Sequence, residues 1–238
     1  KSVCHRKFSV GADGLLVVKN SNVADIEMVY YNSDGSRASM CGNGLRCFVK
    51  FVYDNNIVNK EKIDVDTLDG IKKIKINLKN KDIDTITVNM GQGSFKCSDI
   101  PINSNEEIFI NKEINVLDEK FIVNCMHMGV PHTVIFVDDM DMNKIHKYGP
   151  LIEKHEIFPE GTNVNFVKII DEKNILVRTW ERGCGYTLGC GTGITASVII
   201  SNYLKKVKDS VKVTSEGGSI IIDFIDNEAY MTGKAIKI

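Results

Sequence analysis

The chain has almost no net charge: 30 Lys and Arg against 31 Asp and Glu leave -1 at pH 7, with the two signs interleaved. Without a basic stripe there is no electrostatic footprint for nucleic acid, so a small molecule is the expected partner. No apolar run approaches the roughly 18 residues that span a bilayer, and the opening Lys1-Ser2-Val3-Cys4-His5-Arg6-Lys7 lacks a signal-peptide core. No membrane partner is therefore expected. The first residue is not Met, which limits any statement about targeting. The seven cysteines (4, 41, 47, 97, 125, 184 and 190) are odd in number and contain no Cys-X2-Cys pair. That argues against a disulfide framework and against a zinc ribbon, and favours free thiols in the cytoplasm with no metal. What is present is ordinary: 43% hydrophobic and 26% charged residues over 238 positions. This supplies a core for one large domain or two of about 100 to 150 residues.

Short alternating segments recur at Ile74, Ile76 and Leu78, at Ile83, Ile86 and Val88, and at Ile220, Ile222 and Phe224. They read as strands, separated by turn signals such as Asp69-Gly70 and Glu216-Gly217-Gly218. Helical periodicity is rarer. Leu45, Phe48, Val49 and Val52 follow i, i+3, i+4, i+7, and Ile194 to Leu204 does so less cleanly.

Two pieces far apart match: Met40-Cys41-Gly42-Asn43-Gly44-Leu45 and Gly189-Cys190-Gly191-Thr192-Gly193-Ile194. Each sets one cysteine before a Gly-X-Gly turn leading into a helix. Nine residues ahead of Cys41 stands Asn32, ending a predicted strand from Ile26; nine ahead of Cys190 stands Glu181, after a predicted strand Ile175 to Trp180. After each helix come a strand, an acid-and-glycine turn, a second strand, a polar turn and a third strand closing in Met90-Gly91 or Thr232-Gly233. This internal repeat divides the chain near residue 112 into halves 1–112 and 113–238 of one plan. The expected architecture is α/β (α+β), two pseudo-symmetric domains, each a curved, mostly antiparallel sheet around a central helix.

A thiol acts as a base only as thiolate, and a helix start lowers its pKa from about 8.5 into a range of roughly 3.5 to 7.5. Glycines there let backbone N–H groups approach an anion. If two such starts face one α-carbon, one sulfur removes a proton while the other delivers one, and the N–H groups hold the charge that develops on the carboxylate. Such a pair inverts configuration without a cofactor. Cys4, Cys47, Cys97, Cys125 and Cys184 lack the paired glycine context and are read as packing residues.

Tyr31-Asn32-Ser33-Asp34-Gly35-Ser36, Met40-Cys41-Gly42-Asn43-Gly44-Leu45-Arg46-Cys47, Trp180-Glu181-Arg182-Gly183 and Gly189-Cys190-Gly191-Thr192-Gly193 together resemble the diaminopimelate epimerases. Gly11-Ala12-Asp13-Gly14, Pro131-His132, Gly161-Thr162-Asn163 and Met231-Thr232-Gly233 fall in the family's order as well, so the resemblance covers nearly the whole chain. It implies a cofactor-independent isomerase of lysine and peptidoglycan precursor biosynthesis that interconverts LL- and meso-diaminopimelate, with Cys41 and Cys190 as the two bases. It further implies that the backbone of Gly42-Asn43 and Gly191-Thr192 holds the reacting carboxylate. By the same resemblance Asn32, Asn163 and Arg182 address the distal end of the substrate, and Glu181 and His132 stand near the amino group. A homodimer is left open.

The chain departs from the family's pattern at Val130, where an Asn is usual, and at Tyr186, where a Glu is usual; Asn165 stands where the family tends to have a small residue. An amino-acid racemase of the same fold acting on another substrate, for example histidine, is therefore an alternative. A duplicated protein that only binds an amino acid is a second.

Overall fold

The computed structural model describes residues 1–38 and 41–237, so Met40 of the first cysteine motif lies outside the described residues. The chain forms two compact units, Lys1–Asn89 with Thr232–Ile238, and Met90–Met231. The expected division at residue 112 falls inside the second unit, at the start of a hairpin strand. A boundary inferred from a polar loop could not show that residues 90–111 pack onto the strands that come after them. Phe109, for instance, is buried in one cluster with Val123, Cys125 and Ile135.

The first unit carries β1 (Gly14–Lys19), β2 (Ile26–Asn32), the short β3 (Arg37–Ala38), α1 (Gly42–Asp54), β4 (Lys62–Thr67), β5 (Gly70–Lys79) and all but the last two residues of β6 (Asp82–Gly91). β1 and β2 are antiparallel, β4 runs parallel to β2, and β5 and β6 continue antiparallel. The one parallel pairing is where α1 intervenes, because parallel neighbours need a crossover long enough to hold a helix. The alternation Ile74, Ile76, Leu78 opposite Ile83, Ile86, Val88 breaks by one residue between 83 and 86. A register shift at Asn77/Leu78 absorbs it.

The second unit holds β7 (Lys112–Val116), β8 (Glu119–His127), β9 (Pro131–Phe136), α2 (Met142–Glu153), β10 (Asn163–Asp171), β11 (Asn174–Glu181), β12 (Gly185–Thr187), α3 (Gly191–Tyr203), β13 (Ser210–Ser215), β14 (Gly218–Ile225) and all but the last two residues of β15 (Glu228–Gly233). Its strands lie side by side in the order β14-β13-β11-β10-β9-β8-β7, with β12 on β11. The β2-α1-β4 crossover of the first unit recurs as β11-α3-β13, again parallel. This is the repeat that the two cysteine motifs announced, and the fold is mixed α/β as expected.

A second crossover, β9-α2-β10, has no forerunner among the elements expected from the sequence. Ile145, Tyr148, Gly149 and Ile152 do follow helical spacing, and Asp141 caps the start by accepting from the N–H of Asn143 at 2.9 Å. Pro150 inside the helix masks that signal, since proline is expected to end a helix.

The two matched helices bury different fractions of their surface, which explains their unequal legibility. α1 buries Leu45, Phe48, Val49 and Val52 on one stripe and exposes Phe51. α3 is buried continuously from Gly193 to Ser201, and a helix buried all round shows little periodicity. Its hydroxyls are satisfied within the helix: Thr195, Ser197 and Ser201 donate to the carbonyls of Gly191, Gly193 and Ser197 at 2.6 to 2.8 Å.

Candidate active site

Cys41 is the N-cap of α1, in extended conformation, and its Sγ accepts from the N–H of Gly44 at 3.3 Å. The helix opens at Gly42, so the N–H groups that its first turn leaves outside the helical ladder are those of the Gly-Asn-Gly segment. One turn on, Arg46 lies buried, donating through Nη2 to Asn43 Oδ1 at 2.9 Å and through Nε to the carbonyl of Lys234 at 3.4 Å. Burial lowers the pKa of its guanidinium, while Cys47 and Cys41 oppose that shift by attraction. Asn32 ends β2, where its Nδ2 donates to Ser36 Oγ at 3.0 Å in the Asn32–Ser36 turn.

In the second unit, Cys190 occupies the same place at the start of α3, with Sγ and the Thr192 hydroxyl 3.3 Å apart. Here the expectation of a lowered thiol pKa does not hold. Burial, reinforced by the negative charge of Glu181 and only partly offset by the Thr192 hydroxyl, pushes Cys190 up to about 12. Cys190 is half-buried, and the helix start is outweighed there by partial loss of water and the neighbouring carboxylate. Since an unfolded thiol ionises near 9.0, the contribution of Cys190 to stability is complete below pH 9 and drains away as the pH rises toward 12. Glu181→Gln removes the charge and is expected to move the Cys190 titration downward from about 12, read from thiolate absorbance against a Cys190→Ala control. An unchanged titration would show that the carboxylate does not act on the sulfur.

Glu181 closes β11 and Arg182 opens the turn after it. Glu181 Oε1 accepts from the Thr187 hydroxyl at 2.5 Å, and Arg182 Nη1 donates to the carbonyl of Glu160 at 3.0 Å. Asn163 opens β10 and is used by the backbone on both sides: Nδ2 donates to Pro131 O at 2.9 Å, and Oδ1 accepts from the N–H of Arg182 at 3.0 Å. Asn163 thereby fixes where the Glu181-Arg182 turn leaves the sheet. His132, on β9 opposite Asn163 in register, is fully buried and held down to about 3 by that burial, with His127 and Arg182 adding to the effect. It is therefore a neutral imidazole.

Two residues outside the expected set brace this end of the unit. Glu153, buried at the end of α2, accepts from Trp180 Nε1 at 2.8 Å and from the N–H of Gly183 at 3.0 Å, gripping both ends of Trp180-Glu181-Arg182-Gly183. Gly149 lets α2 approach that tryptophan, since a Cβ there would sit 2.9 Å from Trp180 Cγ. Nothing in the sequence marks Glu153, because its partners are distant in the chain. Tyr186, where the family usually has a Glu, lies tilted against His146 with ring centroids 5.1 Å apart and donates to Glu216 Oε2 at 2.5 Å.

The remaining cysteines divide. Cys4, Cys97 and Cys125 are buried, as packing residues should be, and burial pushes Cys125 up to about 12. Cys47 and Cys184 are exposed, which corrects the expectation that all five pack: on α1, Cys47 falls on the face opposite the apolar stripe, and Cys184 lies in the turn after β11. Among the described residues no group of three or more His, Cys, Asp or Glu is arranged to hold a metal ion. No helix of the described residues is long and apolar enough to cross a membrane.

The chain matches the sequence model of the family described as diaminopimelate epimerase over residues 1–96 and 124–238. It is 47% identical over 239 residues to a protein named diaminopimelate epimerase from Alkaliphilus metalliredigens, covering 100% of this chain and 84% of that one. A protein of the same name from Clostridium perfringens is 49% identical, with 99% and 85% covered, and one from Methanothermobacter thermautotrophicus is 44% identical, with 100% and 85% covered. Among solved structures, a hydroxyproline epimerase from Agrobacterium vitis superimposes with a TM-score of 0.71 at 15% identity, covering 94% of this chain and 72% of that one. A PhzF-family phenazine biosynthesis protein from Bacillus anthracis does so with a TM-score of 0.66 at 20% identity, with 95% and 83% covered. At these identities the two structures speak for the fold alone.

Proposed function

The chain belongs to the diaminopimelate epimerase family, and on that premise we propose that it interconverts LL- and meso-diaminopimelate by proton transfer at one α-carbon between two cysteines. The observation that carries this reading is the pair of equivalent helix starts. Cys41 and Cys190 each cap a helix that opens on Gly-X-Gly and that crosses between two parallel strands.

In the direction that begins at Cys41, its thiolate takes the Cα proton and the electrons of that C–H bond pass into the carboxylate as an enediolate-like species. Cys190, which keeps its proton at neutral pH, gives it to the opposite face of Cα. Cys41 then holds the thiol and Cys190 the thiolate, ready for the other epimer. No redox step and no cofactor enters the balance. The two environments suit these roles: Arg46 stands one turn from Cys41, and Glu181 acts on Cys190.

General acid–base catalysis supplies about 10² to 10⁴ in rate, too little for so weak a carbon acid. The rest is assigned to the backbone N–H groups of Gly42-Asn43 and Gly191-Thr192, aimed where negative charge develops. Arg182 is assigned as the bidentate partner for the distal carboxylate, with Asn32 and Asn163 as further polar partners of that end, and Glu181 as the acceptor for an ammonium. A transfer that needs two reduced thiols suits a reducing, cytoplasmic setting.

Incubation of the reduced protein with LL-diaminopimelate in heavy water should yield meso product carrying deuterium at the inverted carbon. A fully reduced protein that exchanges no α-proton would remove the reading. Running L-histidine and other L-amino acids beside it decides the substrate, and inversion of one of them with diaminopimelate untouched would reassign the enzyme to the alternative racemase.

A further inference from the structure

Among the described residues, one buried side-chain nitrogen or oxygen has no hydrogen-bond partner, and it is His132 Nε2. The residue is fully buried, so this atom cannot be satisfied by bulk water. Leaving a buried donor or acceptor unpaired costs about 1 to 3 kcal/mol, and native proteins rarely carry one without a use for it.

The other ring nitrogen decides which kind of group is left over. Nδ1 faces Asn165 Nδ2 at 3.2 Å. The amide cannot be turned the other way, because that same Nδ2 also faces the carbonyl oxygens of Thr133 and Asn163 at 3.4 and 3.5 Å, which can only accept. Its Oδ1 takes the Thr179 hydroxyl at 3.0 Å. With Nδ2 donating, Nδ1 must be the bare nitrogen of a neutral ring, and the proton resides on Nε2. Burial keeps the ring from taking a second proton.

Asn165 is itself set by the catalytic element. It is fully buried, and a Cβ at Gly193, in the first turn of α3 after Cys190, would lie 2.3 Å from its Oδ1. The glycine of the second cysteine motif, the Asn165 amide and the His132 ring thus form one stack from the helix start down to β9.

We propose that Asn165 is a positioning residue that locks His132 as the Nε2–H tautomer, so that a substrate group brought against Nε2 must accept a hydrogen bond, as a carboxylate oxygen does and an ammonium does not. An ammonium carries three donors and no acceptor, so an N–H set against it leaves both unsatisfied. A carboxylate accepts along several directions and, beside Arg182, gains a neutral donor next to a cationic one. The inference rests on the epimerase reading only for the identity of the ligand. The tautomer belongs to the protein alone.

Long-range proton–nitrogen NMR of protein labelled with 15N-histidine tests the two parts separately. Without ligand, His132 should show a protonated Nε2 and a bare Nδ1; the reverse tautomer, or a ring with both nitrogens protonated, overturns the lock whether or not the protein is an epimerase. Asn165→Asp places an acceptor against Nδ1 and should protonate it, while raising KM for diaminopimelate about tenfold or more, the effect of losing a hydrogen bond to a charged group. If that variant does not fold, the wild-type spectrum still decides. Saturating diaminopimelate should move the Nε2–H proton downfield. Pimelate, with both carboxylates and no amines, should move it the same way if it binds, and 1,5-diaminopentane should not. An Nε2–H resonance unmoved by saturating diaminopimelate, or one that answers the diamine, overturns the assignment to a carboxylate.

Discussion

Replacing Cys41 or Cys190 by alanine is expected to lower kcat for epimerisation by about 10³-fold, within the span that a positioned acid or base supplies. Either change should suffice, since inversion needs a proton removed on one face and another delivered on the opposite face. The fold should survive both. Cys41→Ala loses the sulfur that accepts from the N–H of Gly44, a capping loss of about 1 kcal/mol or less. That corresponds to a fall in Tm of roughly 2 to 4 °C for a chain of this size. Cys190 makes no capping hydrogen bond with its side chain, so its loss should move Tm less. Activity, circular dichroism and thermal melts on the same preparations check these outcomes together. More than a few per cent of the wild-type rate in either variant would rule out two-base transfer by this pair. Thiol labelling is an unsafe substitute unless Cys47 and Cys184 are first replaced, because both are exposed and would react ahead of a sulfur that holds its proton to about pH 12.

Gly193→Ala should be the most damaging change that touches neither sulfur. The added Cβ would lie 2.3 Å from Asn165 Oδ1 and 3.2 Å from its Cγ. Asn165 cannot swing aside without abandoning Thr179, His132 and two backbone carbonyls in a region with no access to water. The start of α3 must move instead, and Cys190 with it. Overpacking of this kind costs about 1 to 3 kcal/mol, or roughly 2 to 12 °C in Tm. A displacement of the sulfur by even 1 Å can cost about 10²-fold in kcat. A double-mutant cycle isolates the cause: combined with Asn165→Ser, which shortens the obstructing side chain, Gly193→Ala should cost measurably less than it does alone. Equal costs in both backgrounds would show that the glycine serves the backbone rather than the asparagine beneath it.

The repeat was legible because its signals are local. A cysteine, two glycines and an apolar stripe within about a dozen residues specify a capped helix wherever they occur, and finding them twice with matched strands on either side specified that one order of elements repeats. α1 was clear because one face of it is polar. α3 was blurred because it is buried nearly all round, and α2 was hidden by Pro150 although its spacing and its Asp141 cap were in place. The compact units meet at residues 89 and 90 rather than at 112, and a polar loop marks where a chain can turn, not which side its neighbours pack against.

The chemistry divides along the same line. The sequence by itself determined that two thiols stand at equivalent helix starts, that the chain carries an amino-acid epimerase's series of motifs, and that Glu181 and Arg182 follow the strand before the second start. Only the tertiary structure decided what each group is once placed there. Cys190 is held as a thiol, His132 as a neutral ring, and Asn163 is engaged by the backbone of Pro131 and Arg182. Glu153, anonymous in the sequence, grips the turn that carries Glu181 and Arg182. Proton affinity and hydrogen-bond direction depend on which groups lie within a few ångströms and on how much water is excluded, and both are set by residues that the chain brings together only by folding.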